Sequence, residues 1–126
     1  MRKRDISRYV LIGFYFFAGF NHFLMPEFYL PLIPQSWPAP EVLNVFGGLA
    51  EMAIAVAYIS GRTRKWAMVA LVALLIAFIP IHIDFIVKGS CVGSLCVPAW
   101  LGWLRLLLVH PLLILWAIYA GKTEKR

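Results

Sequence analysis

Four long segments of the chain contain almost nothing but apolar residues, and this pattern constrains the fold more than any other. The segments cover about residues 9–24, 42–60, 66–87 and 100–120. A helix crosses a ~30 Å hydrocarbon core with about 20 residues, and continuous apolar runs exclude the alternating strands of a membrane barrel. With 62% hydrophobic residues in a chain of 126, the sequence predicts one domain over residues 1–126. The predicted fold class is all-α, an integral membrane four-helix bundle.

The basic residues of the chain are clustered between and beyond the apolar segments. Four spans place these clusters on one side of the membrane, which the positive-inside rule makes the cytoplasm. We therefore predict that both termini are cytoplasmic and that the protein lies in a cell membrane, with a bacterial inner membrane as the expected case. The net charge of +6 then reflects topology, and we expect no nucleic-acid partner. The clustered residues are Arg2, Lys3, Arg4, Arg8, Arg62, Arg64, Lys65, Lys122, Lys125 and Arg126.

The basic start followed by an apolar run also has the form of a signal peptide. However, the run ends in AGFNHF, without a small-x-small cleavage motif, and three further apolar segments follow. We interpret the first segment as a retained helix.

The first outer loop, about residues 25–41, is rich in both proline and aromatic residues. Prolines oppose a regular helix there, whereas the aromatic and aliphatic residues oppose a freely solvated loop. Two interpretations remain: a lid over the outer mouth of the bundle, or an ordinary interfacial anchor of aromatic side chains.

The second outer loop, KGSCVGSLCVPAW, contains the two cysteines of the chain, Cys91 and Cys96. The predicted topology places them on the oxidising face, where thiols tend to pair. A structural disulfide is the favoured hypothesis, and an exchangeable disulfide and two free thiols are the alternatives.

Seven polar or ionisable residues within the apolar segments are the candidates for a site, and all seven fall in the middle or outer part of the predicted bundle. Such residues are costly within a membrane, about 2.5–3.5 kcal/mol for a charge at the midplane, and usually face the interior. The pattern predicts one polar pocket that opens toward the outer face. Its candidate residues are Asn21, His22, Glu51, His82, Asp84, Arg105 and His110.

Arg105 keeps its proton under all ordinary conditions, so it needs an anionic partner. Glu51 is the first candidate, and Asp84 competes because it lies at a more similar depth. His82 and Asp84 are separated by roughly 200° on an ideal helix, and Arg105 and His110 by roughly 140°. One member of each pair faces elsewhere unless the proline in its segment distorts the helix.

The cluster has three interpretations: a buried network that only fixes the helices, a binding pocket, or a site of proton transfer or redox chemistry. No H-x3-H or E-x2-H spacing occurs, so we expect no metal site. No cofactor is identified by the sequence, although a quinone is compatible with the pocket.

Several motifs together resemble the DoxX-like family of small membrane proteins. They are FAGFNHFLMPEFYLPLIP, GGLAEMAIA, GRTRKWA, AFIPIHIDF and LRLLLVHPLLILWA. The resemblance implies a compact bundle with an outer polar cluster, and it points to His22, Glu51 and Arg105 as the matching polar positions. Members of this family are similar to accessory subunits of membrane redox enzymes.

The leading functional hypothesis is therefore a membrane accessory protein. Its outer pocket would bind a small lipophilic ligand or a partner protein in redox or stress functions. The alternatives are a quinone-linked oxidoreductase subunit and a small proton-coupled transporter, so the sequence leaves open whether the protein is an enzyme. Expected partners are membrane lipids, a membrane or secreted redox protein, and a second copy of the chain.

Overall fold

The computed structural model of the chain describes residues 2–92 and 94–122, which are mainly helical. The long helices are α1 (Lys3–Leu24), α3 (Pro40–Ala57), α4 (Arg64–Ala77), α5 (Ile79–Val87) and α7 (His110–Gly121). Shorter elements are α2 (Pro26–Tyr29), a 3-10 helix (Leu30–Leu32), strands β1 (Cys91–Val92) and β2 (Leu95–Cys96), α6 (Ala99–Leu104) and a π-helix (Arg105–Val109).

Three helical stretches are long and apolar enough to cross a membrane, and a fourth qualifies only as a bent pair. The three are Pro40–Ala57, Arg64–Val87 and Ala99–Gly121. Helix α1 qualifies only together with Pro26–Leu32, from which it is bent by 95°. Unlike the predicted segment 9–24, α1 begins among the basic residues at Lys3, and its apolar part is the shortest of the four.

The predicted bounds of the second and third segments need correction. Helix α3 begins two residues earlier because Pro40 suits the first turn of a helix, where its missing N–H is not needed. It ends at Ala57, not at residue 60, because the chain turns there and Arg64 donates to the carbonyls of Tyr58 and Ile59. The third segment is interrupted at Phe78, next to Pro80, whose ring prevents a regular hydrogen-bond pattern.

The long helices contact one another in a ring, in which α1 and α4 each contact α3 and α7. The buried core is apolar but contains the fully buried Tyr58, whose hydroxyl donates to the carbonyl oxygen of Ala117 over 2.9 Å. This bond links the end of α3 to α7. The core consists of Leu11, Tyr15, Ile54, Ala55, Tyr58, Ala67, Leu71, Leu75, Ala117 and Ala120.

Among the glycines that the structure describes, Gly19 of α1 and Gly48 of α3 lie closest to the backbone of a neighbouring helix. A Cβ atom on Gly48 would lie 2.8 Å from the carbonyl oxygen of Gly19 and 2.9 Å from the Cβ of His22. A Cβ on Gly19 would lie 2.5 Å from the carbonyl oxygen of Gly48. Only glycine fits at both positions, as expected where small residues let two helix backbones touch.

The first turns of α1 meet the end of α7 at a basic end of the described structure, where Arg8 is buried. Its guanidinium donates to the carbonyl oxygens of Ala120 (2.8 Å) and Lys122 (2.9 Å) and pairs with Asp5 (3.0 Å). The last carbonyls of a helix lack intrahelical partners, so Arg8 caps α7. The sequence predicts for Arg8 only a place in the basic clusters that determine the membrane topology.

The opposite end is covered by the two loops. The first loop departs from the expected lack of helix because it contains α2 and the 3-10 helix, each only about one turn long. The second loop is a small hairpin in which Cys91 pairs with Cys96 and Val92 with Leu95, so the fold is not strictly all-α. The sulfur atoms of Cys91 and Cys96 form a disulfide.

The α1–α3 contact predicts different responses to the same substitution at two adjacent glycines. Gly48→Ala should lower the stability by about 1–3 kcal/mol, because the new methyl group meets backbone atoms that cannot move aside. Gly47→Ala is the matched control, since its Cβ would lie 3.7 Å from His22 Cε1, an ordinary contact. Thermal unfolding of the detergent-purified variants measures both changes. Equal losses at the two positions would contradict the close crossing.

Candidate functional site

A cavity of about 460 Å³ lies between the helices, and mainly apolar side chains line it. Helices α1, α3, α4, α5 and α7 and the π-helix contribute to its wall. The first loop covers one side through Tyr29, Leu32, Ile33 and Trp37. This position agrees with the lid interpretation of that loop. The volume lies in the range of pockets that hold small molecules.

Five of the seven predicted site residues line this cavity: His22, Glu51, His82, Arg105 and His110. The other two do not belong to its wall as described. Asn21 donates a 2.8 Å hydrogen bond to the hydroxyl of Tyr29 and so supports the loop. Asp84 forms an ion pair with Lys88, with 2.7 Å between Oδ2 and Nζ.

Both expected partners of Arg105 need correction, because Glu51 and Asp84 each pair with another residue. Asp84 lies two residues beyond His82 and points to another side of α5, as the helical angle requires, where Lys88 neutralises it. Within residues 2–92 and 94–122, no carboxylate lies within ion-pair distance of Arg105. Arg105 is instead exposed, and its side chain lines both the main cavity and a smaller one of about 190 Å³.

His22, Asn44 and Glu51 form a buried network between α1 and α3. The amide nitrogen of Asn44 donates to the carbonyl oxygen of His22 (3.1 Å), one of the unpaired carbonyls at the end of α1. This bond orients the amide so that its oxygen faces His22 Nδ1 at 2.8 Å, and Nδ1 must then be the donor. The other ring nitrogen, Nε2, faces Glu51 Oε1 at 3.7 Å.

The orientation of Asn44 fixes which ring nitrogen of His22 faces Glu51. With Nδ1–H bonded to Asn44, Nε2 is the nitrogen that faces the carboxyl group. Both side chains are buried, and the two groups form an ion pair when the His22 ring carries two protons.

Tyr29, at the end of α2, covers this network. Its ring stacks on the His22 ring, with 3.9 Å between centroids and 16° between planes. Because Asn21 holds the Tyr29 hydroxyl, both ends of the tyrosine are fixed by the last turn of α1. The cover of the cavity is therefore in direct contact with His22, whose Nε2 faces Glu51.

The π-helix explains why Arg105 and His110 face the same cavity. The N–H of His110 bonds to the carbonyl of Arg105, five residues earlier, so residues five apart lie nearly above one another. The predicted separation of roughly 140° applies to a regular α-helix. Pro111 follows immediately and has no N–H to continue the α-helical pattern.

His110 also uses the break between α4 and α5. Its Nε2 hydrogen bonds to the Leu75 carbonyl oxygen, so Nε2 carries the proton. That carbonyl lies in the last turn of α4, where the helix is interrupted. The ring of His82 packs edge-on against His110 with 5.0 Å between centroids. His110 thus has a structural bond, whereas His82 presents its ring to the cavity.

Two cavity-lining polar atoms have no hydrogen-bond partner in the described parts of the chain: Glu51 Oε2 and the Tyr15 hydroxyl. Their residues are only 5% and 4% exposed, and the two groups interact electrostatically. An unsatisfied buried polar atom costs about 1–3 kcal/mol. The cavity therefore contains an unmet acceptor and an unmet hydroxyl at its Glu51 side.

Sequence reasoning missed Tyr15 and Asn44. Asn44 is seven residues before Glu51, two helical turns away on the same face, and this spacing was a usable signal. Tyr15 stands among many aromatic residues of α1, and nothing in its spacing separates it from them. For metals, the part of the chain described above contains no group of three or more His, Cys, Asp or Glu residues that could hold an ion.

The Tyr29 cover predicts slow access to the cavity. In an Ala18→Cys variant, the introduced thiol lies on the cavity wall and should react slowly with a polar maleimide. Adding Tyr29→Ala removes the stacked ring and should speed the reaction severalfold. Arg62→Cys is the control, since Arg62 is exposed in the turn between α3 and α4 and should be unaffected by Tyr29→Ala. An unchanged Ala18→Cys rate would show that Tyr29 does not control access.

Comparison with known proteins places the chain in a family but matches it to no individual protein. Neither a curated protein nor a solved structure matches the chain. A family model does match, over residues 11–120. This range covers all or most of each helix that lines the cavity. The chain therefore belongs to the family described as Domain of unknown function (DUF8561).

Proposed function

We propose that this chain is a multi-pass membrane protein whose four long helical stretches form a bundle around a ligand-binding cavity. Membrane insertion is supported by the three apolar helical stretches and the bent fourth candidate. It is also supported by large apolar side chains on the outer surface, among them Phe17, Phe46, Trp66 and Leu107, each at least 66% exposed. In water such a surface would favour aggregation, whereas lipid tails would cover it.

The proposed orientation has both termini in the cytoplasm and the disulfide hairpin outside. Its support is the basic end, where Arg8 and Lys122 meet, together with the oxidised pair Cys91–Cys96 at the other end. In a bacterium the membrane would be the inner one.

This orientation predicts the behaviour of C-terminal reporter fusions in a bacterial host. Fluorescent protein joined after residue 126 should fluoresce, and alkaline phosphatase there should be inactive, because the latter folds only outside the cytoplasm. A fusion after Lys88 is the control and should give the reverse result. Active phosphatase at residue 126 would mean an odd number of spans or an inverted bundle.

The single observation that carries the binding function is the cavity with unmet polar atoms. Its wall is largely apolar, which suits a lipophilic ligand, while Glu51 Oε2, the Tyr15 hydroxyl and Arg105 remain available for a polar group. A network that only held the helices together would pair these groups with one another. The loop that bears Tyr29 supports a ligand that enters from the outer side.

The proposed cellular role is that of an accessory protein in membrane redox or stress functions, and it rests on the sequence motifs that resemble DoxX-like proteins. The ligand decides between this role and its alternatives. A bound quinone would favour a redox subunit, and proton-coupled flux of the ligand would favour a transporter.

Ligand extraction tests the binding function. The protein purified in mild detergent should release a lipophilic compound in near-stoichiometric amount, detectable by mass spectrometry of a solvent extract. Ala18→Phe should abolish the signal, because Ala18 lies on the cavity wall and a phenyl ring there fills part of the volume. Ala70→Phe is the matched control on an exposed site of α4 and should retain it. Equal extracts from both variants would refute a ligand in this cavity.

A further inference from the structure

We infer that the cavity ligand is a lipophilic hydroxy acid, with its acid group at Arg105 and its hydroxyl group at Glu51 and Tyr15. This inference rests on the proposed binding function and specifies the ligand class. Three features carry it: the charge of the cavity, the separation of its polar groups, and the type of hydrogen bond that each group lacks.

The charge of the cavity favours a monoanion. The Glu51 carboxyl group has its own basic neighbour, His22, whose Nε2 lies 3.7 Å from Glu51 Oε1. Asp84 is neutralised by Lys88 and does not line the cavity. The guanidinium of Arg105 is then a positive charge without an ion-pair partner in the described chain. A charge facing an apolar cavity is stabilised best by an opposite charge that forms hydrogen bonds with it.

The polar groups lie at two separate places on the wall. Arg105 also lines the smaller cavity next to the disulfide hairpin, and neither Glu51 nor Tyr15 lines that cavity. Glu51 instead belongs to the network between α1 and α3, where its Oε1 lies 3.7 Å from His22 Nε2. The acid group and the second polar group of the ligand are therefore separated by an apolar part, which the side chains between them contact.

The second group of the ligand must donate a hydrogen bond. Glu51 Oε2 accepts none in residues 2–92 and 94–122, although it is buried. A hydroxyl group satisfies this oxygen and can at the same time bond to the hydroxyl of Tyr15. An ammonium group would instead add a positive charge to a cavity that already has one. The ligand is therefore an acid with a hydroxyl group, not an amino acid or a hydrocarbon.

Three probes of one chain length separate these contributions: ω-hydroxydodecanoate, dodecanoate and dodecanol. Each is titrated calorimetrically into the full-length protein in phosphatidylcholine nanodiscs. We expect ω-hydroxydodecanoate to bind about tenfold tighter than either of the others, because it alone offers both a carboxylate to Arg105 and a hydroxyl donor to Glu51 Oε2.

Protein variants assign each group of the probe to its site. Arg105→Gln should weaken both acids about tenfold and leave dodecanol unchanged. Lys88→Gln is the matched control, because Lys88 is paired with Asp84 and does not line the cavity. Tyr15→Phe should weaken ω-hydroxydodecanoate severalfold and leave dodecanoate unchanged. This variant loses a hydroxyl without a protein partner, so folding should be preserved.

The outcomes separate this inference from the proposed function. Equal affinity of the three probes, or an Arg105→Gln variant that binds acids normally, would overturn the hydroxy-acid ligand but leave a lipophilic ligand in place. Absence of binding by all three, together with an empty solvent extract, would overturn both. Loss of ω-hydroxydodecanoate binding in phosphatidylglycerol nanodiscs would assign Arg105 to a lipid headgroup and also refute a free acid.

Discussion

The contact between α1 and α3 at Gly19 and Gly48 is the constraint on which the site depends. It brings the two backbones so close that a side chain one turn further along α1 reaches the polar face of α3. His22 is placed in this way against Asn44 and Glu51. A larger residue at either crossing position would move the helices apart and lengthen the contacts of His22 with Asn44 and Glu51. The small residues are therefore a requirement of the network as well as of packing.

Arg8 and Arg64 bond to backbone carbonyls at helix ends, whereas Arg105 lines the cavity, and this difference indicates the role of Arg105. Arg8 donates to the last carbonyls of α7 and pairs with Asp5, and Arg64 donates to carbonyls after α3. These arginines complete helix ends, which always carry unpaired carbonyls. Arg105 belongs to a π-helix in the middle of a long helical stretch, where such carbonyls are few. Within the described chain, the guanidinium of Arg105 lines the cavity and does not complete a helix end.

The sequence was sufficient to predict the helical character and five of the polar side chains that line the cavity, because polar side chains are rare in apolar segments and therefore conspicuous. It was not sufficient to predict their partners. Asp84 pairs locally with Lys88, four residues later in the chain, whereas depth in the membrane favours the more distant Arg105. The shared face of Arg105 and His110 depends on a π turn, and sequence spacing alone assumes α geometry. Tyr15 is recognisable only from the absence of a partner, which is a property of the folded chain.

The cost of the unmet groups connects stability with occupancy. Glu51 Oε2 and the Tyr15 hydroxyl each reduce stability by about 1–3 kcal/mol while they lack a partner, and a ligand that bonds to both would recover much of this. The same ligand must lie beneath Tyr29, whose ring stacks on His22. His22 in turn faces Glu51, with 3.7 Å between Nε2 and Oε1. Binding at Glu51 and the closure of the first loop are therefore coupled through one tyrosine, one histidine and one carboxyl group.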